Sequence, residues 1–237
     1  MLNARAAHAV VSTQTAIYAL AGTGKSGPVV DVERFDGSAW AVETLLPGKG
    51  LNAPAAVVLN DRIYLIGGFS TLTNMPTDGV EVYDPATKTW SEAAPLPEPR
   101  GGHAAVVLDG KIYAIGGRSG FEDFGDVYVY NPATDSWSTG PSIAPRGTAG
   151  AVVYCDAITI FGGEAQAEGL TLNIVEWLDA DKGVWNPATP MPTARNFARA
   201  VLFQDSVYVV GGSPIAGSSH SSQGSAVVER FRVDCSK

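Results

Sequence analysis

Short apolar runs bounded by polar turn residues organise this chain. Ala104-Ala-Val-Val-Leu108 is followed by Asp109-Gly110 and then by Ile112-Tyr-Ala-Ile115. Two apolar runs joined by a two-residue Asp-Gly or Asn-Asp turn form a hairpin signature. Farther along, Val80-Glu-Val-Tyr83 and Val127-Tyr-Val-Tyr130 alternate with a period of two, as strands do. Asp84-Pro-Ala-Thr-Lys-Thr and Asn131-Pro-Ala-Thr-Asp-Ser then supply turns, and Trp90 or Trp137 opens a further strand. No stretch carries the 3.6-residue apolar period of an amphipathic helix. The pattern predicts antiparallel strands throughout.

The pattern also repeats. Ile63-Tyr-Leu-Ile-Gly67-Gly68 returns at Ile112–Gly117, Ile158–Gly163 and Val207–Gly212, with a degenerate first copy at Ile17–Gly22. The first member of each pair stands at 21, 67, 116, 162 and 211. A second series, Trp40, Trp90, Trp137 and Trp185, marks the same units. A third lies sixteen residues before each pair: Arg5, Leu51, Arg100, Arg146 and Arg195. Three series in register divide the chain into five units, about 1–46, 47–96, 97–144, 145–191 and 192–237. A four-stranded sheet cannot bury both faces alone, whereas a ring of such sheets can. In that arrangement the Trp wedges the space between neighbouring sheets far from the axis. One domain with five blades and nineteen blade strands is expected, the last blade lacking its outer strand.

The Gly pairs, the Tyr83/Trp90 and Tyr130/Trp137 spacing and the Arg5/His8 and Arg100/His103 openings resemble the kelch-repeat family of β-propellers. Departures are Ala21 in the first pair, Leu178 where other units carry Tyr or Phe, and a fifth unit without its Trp. The resemblance implies a kelch-type β-propeller akin to the central domain of galactose oxidase. In that family, ligands and partner peptides meet the end of the ring that carries the loops after the Gly pairs.

Composition narrows the function. Lys and Arg total 16 against 24 Asp and Glu, a net charge of −8, with a pI near 4.8. A general nucleic-acid binder needs the opposite sign. No apolar run is long enough to span a membrane. The first residues lack the apolar core of a secretory leader, so a cytoplasmic chain is expected, or an exported one if the N-terminus is truncated. Ala19-Leu-Ala-Gly-Thr-Gly-Lys25-Ser26 imitates a phosphate-binding loop, but a strand-like segment follows where that loop requires a helix. His8, His103 and His220 do not form a ligand set, so neither metal nor cofactor is expected. Cys155 and Cys235 fall on neighbouring blades, at the end away from the Gly-pair loops. A bond between them is geometrically open; free thiols are the expectation without a leader.

Carried over by position, the loop face offers Phe69, Arg118, Phe121, Phe124 and Glu164 from the loops, and Asn52 and Asn196 from the linkers. Aromatic anchors beside mixed charge suit recognition of a partner. Arg199 interrupts a series of Ala and Gly on the innermost strands, so a ligand-binding role is weighed against an interior ion pair. Trp177, also out of series, is read as packing between blades or a partner contact. The linker arginines are weighed as an anion-binding ring against structural bridges to carbonyls or acids of the next blade, the structural role being favoured. The leading reading is a non-catalytic module that binds a protein or a small ligand, such as a sugar or carboxylate, with oligomeric state open. The alternative is a carbohydrate-binding or sugar-isomerising enzyme resembling sialic-acid mutarotases, with Glu164, Glu122, Arg118 and Arg199 as its chemical groups. A third reading is an incomplete piece of a longer array.

Overall fold

The computed structural model describes residues 1–48, 50–120, 122–217, 223–232 and 235. It is all-β. The described residues form 28 strands and one turn of 3-10 helix, Gln166–Glu168. Four antiparallel sheets have four strands each and a fifth has three. The first comprises Ala9–Ser12, Ile17–Leu20, Asp31–Phe35 and Trp40–Leu45; the second Ala55–Leu59, Arg62–Ile66, Val80–Asp84 and Thr89–Glu92. The third comprises Ala104–Leu108, Lys111–Ile115, Val127–Asn131 and Ser136–Gly140; the fourth Gly150–Tyr154, Ala157–Phe161, Val175–Asp179 and Val184–Pro187. The fifth comprises Arg199–Phe203, Ser206–Val210 and Val228–Arg232. Within every sheet the blade strands lie side by side in chain order. The nineteen blade strands agree with the expectation, and the remaining strands are two-residue pairings in the loops.

The hairpin turns follow from residue chemistry. Asn60-Asp61, Asp109-Gly110 and Cys155-Asp156 all have positive φ at both positions, the geometry of a turn whose twist matches its flanking strands.

The chain divides into two compact units. The first is Met1–Gly102 with Gly110–Ile112 and Tyr130–Trp137; the second is His103–Asp109, Tyr113–Val129 and Ser138–Lys237. In the first unit, Val11, Tyr18 and Val32 pack with Ile63, Leu65 and Tyr83. In the second, Val106 and Ile115 pack with Ile158, Ile160 and Leu178, while Phe161 and Val175 pack with Ala198, Val207 and Val209. Each Val, Leu, Ile or Phe side chain among them contributes about 1.5–3 kcal/mol on full burial.

The tryptophans act as the repeat implies. The Trp137 indole donates to Ala94 O at 2.8 Å, and that of Trp185 to Pro141 O at 2.8 Å, each tying its strand to the end of the preceding sheet. Trp90 and Trp137 stack on Tyr83 and Tyr130 at 5.0 and 5.1 Å. Leu178 replaces the aromatic ring opposite Trp185 and is buried. Trp177, its neighbour in sequence, is half-buried.

Both positions of each Gly pair take positive φ, and in the first repeat the first of them is alanine, Ala21 at φ +61°. At Gly116 and Gly162 a Cβ would instead lie 2.6 Å from the linker carbonyls of Arg146 and Arg195. A Cβ on the second, at Gly212, would lie 2.3 Å from Asn196 O. Gly212→Ala is therefore expected to cost about 1–3 kcal/mol, and Ala21→Gly less than about 1 kcal/mol. Urea unfolding of the two variants checks this; equal midpoints would refute it.

Cys155 and Cys235 form a disulfide with Cα atoms 5.3 Å apart. This corrects the expectation of free thiols. That expectation rested on a reading of the first residues, an argument about compartment that carries no information about proximity. The fifth sheet's last strand runs towards the same end as the Cys155-Asp156 turn, and this brings the two side chains together.

Candidate functional site

The second strand of each sheet leads into its Gly pair, and in four of the five repeats the next residue meets the linker. The Cα partners are Ala6 with Thr23, Asn52 with Phe69, Gly147 with Glu164, and Asn196 with Ser213. The residues after the linker position and the residues after the Gly pairs are thus two sides of one short ladder. That is the physical reason the two series share an end of their sheets.

In the first unit this ladder serves packing. Thr23 donates through Oγ1 to Asn52 Oδ1 at 2.6 Å. The Phe69 ring lies against Gly101, where an added Cβ would come within 2.2 Å of it. Beyond Phe69, Leu72 and Met75 are each 62% exposed. A cleft of 720 Å³ in this unit lies instead at the hairpin-turn end, lined by Tyr18, Arg34, Glu43, Arg62, Asp84 and Lys88 among others. Four of its charges are already paired, as Arg62–Asp84 and Lys88–Glu43.

In the second unit three loops converge on Glu164, which has no solvent exposure. Its Oε1 accepts from Arg118 Nη1. Its Oε2 accepts from Asn196 Nδ2 at 2.5 Å and from the Gly217 amide at 3.0 Å. Arg118, itself buried, also donates to Gln166 Oε1. Asp123 closes the group by accepting from the Gln166 amide at 2.5 Å. Burial raises the Asp123 pKa above the ordinary carboxyl value, and the Gln166 amide and Arg118 only partly oppose that. Asp123 Oδ1 and Asn196 Oδ1 are buried with no hydrogen-bond partner among the described residues.

Sequence reasoning chose Arg118, Glu164 and Asn196, and the structure brings these together. It did not find Gln166, whose only signal is its position two residues beyond Glu164. Leu72 and Met75 were missed because aromatic residues were sought. Other candidates lie elsewhere. Phe124 is 7% exposed and belongs to the core, not to an exposed rim, because the loop doubles back and its carbonyl accepts from Arg146 N. Glu122 is exposed, opposite Ser119 in the short pairing that also holds Arg118 and Asp123. Phe121 and His220 lie outside the described residues. Arg199 makes no ion pair among the described residues, so the interior-pair reading is corrected. Its side chain reaches solvent while nearby protein crowds it, and that desolvation lowers its pKa.

The linker arginines are scaffold. All four have fully buried side chains. Arg5 binds Glu33 and the carbonyls of Ala21 and Asp31; Arg195 binds Glu229 and those of Gly211 and Val227. Arg146 pairs with Glu176, and Arg100 with Glu98. For Arg5, Arg146 and Arg195 the acid sits on the third strand of the same sheet, not on the next unit. Thr23-Gly24 and Gly27-Pro28 pair as a tight hairpin, which leaves Lys25 without the helix a phosphate loop needs. Among the described residues no group of three or more His, Cys, Asp or Glu gathers to hold a metal ion. No helix there is long and apolar enough to cross a membrane.

Residues 2–144 match the family model of the KLHDC2/KLHL20/DRC7 Kelch-repeats domain. The chain belongs to the kelch-repeat family, and its fold is the kelch-type β-propeller. It is 30% identical over 199 residues to Kelch-like protein 23 of Mus musculus, covering 82% of this chain and 34% of that protein. It is 29% identical over 203 residues to Kelch-like protein 36 of Bos taurus, covering 84% and 33%. Kelch-like protein terF of Aspergillus terreus is 30% identical over 206 residues, covering 72% and 44%. The chain thus spans about a third of the length of the first two relatives. Among solved structures, YjhT superposes with a TM-score of 0.77 at 20% identity, covering 88% of this chain and 72% of that one.

Proposed function

We propose that this chain is a binding module that takes a protein partner on the loops following its Gly pairs, without catalysis. One observation carries the reading: Glu164, the best-placed carboxylate for acid–base chemistry, has both oxygens occupied by Arg118, Asn196 and Gly217. A general acid or base needs a free position facing its substrate. Here the buried polar group stiffens three loops instead. In the second unit the loop after Glu164 exposes Leu170 at 50%; in the first unit, taken by itself, the loop after Phe69 exposes Leu72 and Met75 at 62%. Apolar side chains on a rigid support make a recognition surface at low ordering cost.

Site-specific photocrosslinking in the host cell tests this. A photoreactive phenylalanine analogue at Leu72, Met75 or Leu170 is expected to give a discrete protein adduct. The same group at Val42 or Val184, exposed on outermost strands, is expected to give none. Adducts from the outer strands alone would overturn the reading. So would mutarotation of N-acetylneuraminate, followed by NMR, that exceeds background and disappears in Glu164→Gln.

A further inference from the structure

Four of the five repeats carry arginine at the linker position, and the second carries Leu51. In the first, fourth and fifth repeats that arginine meets a glutamate on the third strand. The second repeat keeps the acid, Glu81, and lacks the base. Among the described residues Glu81 makes no ion pair, and its cross-strand partner is another acid, Glu92. Burial, together with the Glu92 charge, raises the Glu81 pKa.

The space is open as well. A cavity of 230 Å³ lies here, with Leu46, Leu51, Leu65, Thr77, Gly79 and Glu81 in its lining. The repeat supplies the rest of a receptor. Arg5 and Arg195 each donate to two backbone carbonyls, Ala21 and Asp31 in one case and Gly211 and Val227 in the other. Gly67 and Gly79 hold those places in the second repeat. Glu81 and Gly79 line the void itself, and with Gly67 they supply, by equivalence to the other repeats, a carboxylate and two carbonyls that match the donors of a planar guanidinium.

We infer that this cavity is a binding site for a guanidinium group, the arginine side chain of a peptide or a small molecule carrying the same group. The site is separate from the Glu164 group and stands whether or not the loops bind a protein. Its occupant would take the place that Arg5 and Arg195 fill in their own sheets, with Leu51 packing against its aliphatic stem.

The test is titration of the isotope-labelled full chain, followed by amide NMR. The probes are N-acetyl-L-arginine amide, its neutral near-isostere N-acetyl-L-citrulline amide, and a glycine-flanked arginine tripeptide. Millimolar arginine amide is expected to give saturable shifts at Leu51, Gly79 and Glu81, and citrulline amide none. Tighter binding of the tripeptide assigns the site to a peptide; weaker binding assigns it to a small molecule. Leu51→Arg fills the cavity with the chain's own guanidinium. It should raise the melting temperature and weaken probe binding roughly tenfold or more. Glu81→Gln should weaken binding as much, and it should abolish the stabilisation when combined with Leu51→Arg. Lys49 is the nearest cation along the sequence, so each titration is repeated in Lys49→Ala. Equal shifts with citrulline, undiminished binding in both Leu51→Arg and Glu81→Gln, or binding that appears only in Lys49→Ala would overturn the assignment.

Discussion

Arg195→Met is expected to destabilise the chain by about 3–5 kcal/mol, the cost of stranding one member of a buried ion pair. The Arg195 side chain has no solvent exposure, and that of Glu229 only 11%. With the guanidinium gone, Glu229 keeps its charge in a site from which water is largely excluded, and two carbonyls lose a donor each. Arg146→Met should cost less, because Glu176 is 22% exposed and water can take over part of its solvation. The decisive comparison is the double variant Arg195→Met/Glu229→Leu. Removing both charges removes the stranded ion, so more than half of the loss should return. Urea midpoints of the three chains at neutral pH provide the measurement. If the double variant is no more stable than the single one, the energy resides in packing around Arg195 and the ion-pair account fails.

The linker arginines show what a sequence can and cannot convey. Their recurrence sixteen residues before each Gly pair is visible in the chain, and so is their structural role. Their partners are not. Glu33, Glu176 and Glu229 stand on third strands at equivalent positions, which becomes evident only once strand register is known. The blade architecture was legible for a simpler reason. Hairpin turns, Gly pairs and tryptophans each answer a local steric demand, and the demand recurs from unit to unit, with Ala21 and the fifth unit's lack of a Trp as the departures. A Cβ would strike a linker carbonyl at Gly22, Gly163 and Gly212 in the second position and at Gly116 and Gly162 in the first, while the first repeat has Ala21 there.

The Glu164 group was half legible. Position in the repeat selected Arg118, Glu164 and Asn196, since each follows a Gly pair or a linker position. Their meeting depends on loop paths, which differ in length and composition between units. Phe124 illustrates the limit: an aromatic residue in a long polar loop reads as a surface anchor, yet here it is buried. Leu51 illustrates the reverse. The sequence shows a single departure from the arginine series, and only strand register shows that Glu81 keeps the position of the acid.

Reduction of the Cys155–Cys235 disulfide is the other change expected to have a large effect. The bond closes a loop across a sequence separation of 80 residues. Restricting the unfolded chain over such a loop is worth about 4 kcal/mol on a chain-entropy estimate. For a chain of this length that corresponds to roughly 10 °C in melting temperature. The effect should be regional as well as global. Val228–Arg232 is the outer strand of a three-stranded sheet and, among the described residues, pairs only with Ser206–Val210. The disulfide ties the chain just beyond that strand to the first hairpin of the fourth sheet. The fifth sheet also exposes more apolar surface than its counterparts, with Phe203 at 60% and Val201 at 45%, and so has less burial holding it. In Cys155→Ser/Cys235→Ser, or in the oxidised chain after reduction, hydrogen exchange should therefore accelerate first across 199–232. The strands of the first sheet should keep their protection until global unfolding. Calorimetry with and without reductant, paired with exchange, gives both readings. An unchanged melting temperature would show that the bond adds nothing to the folded state. A uniform loss of protection would show that the fifth sheet does not depend on it more than the rest.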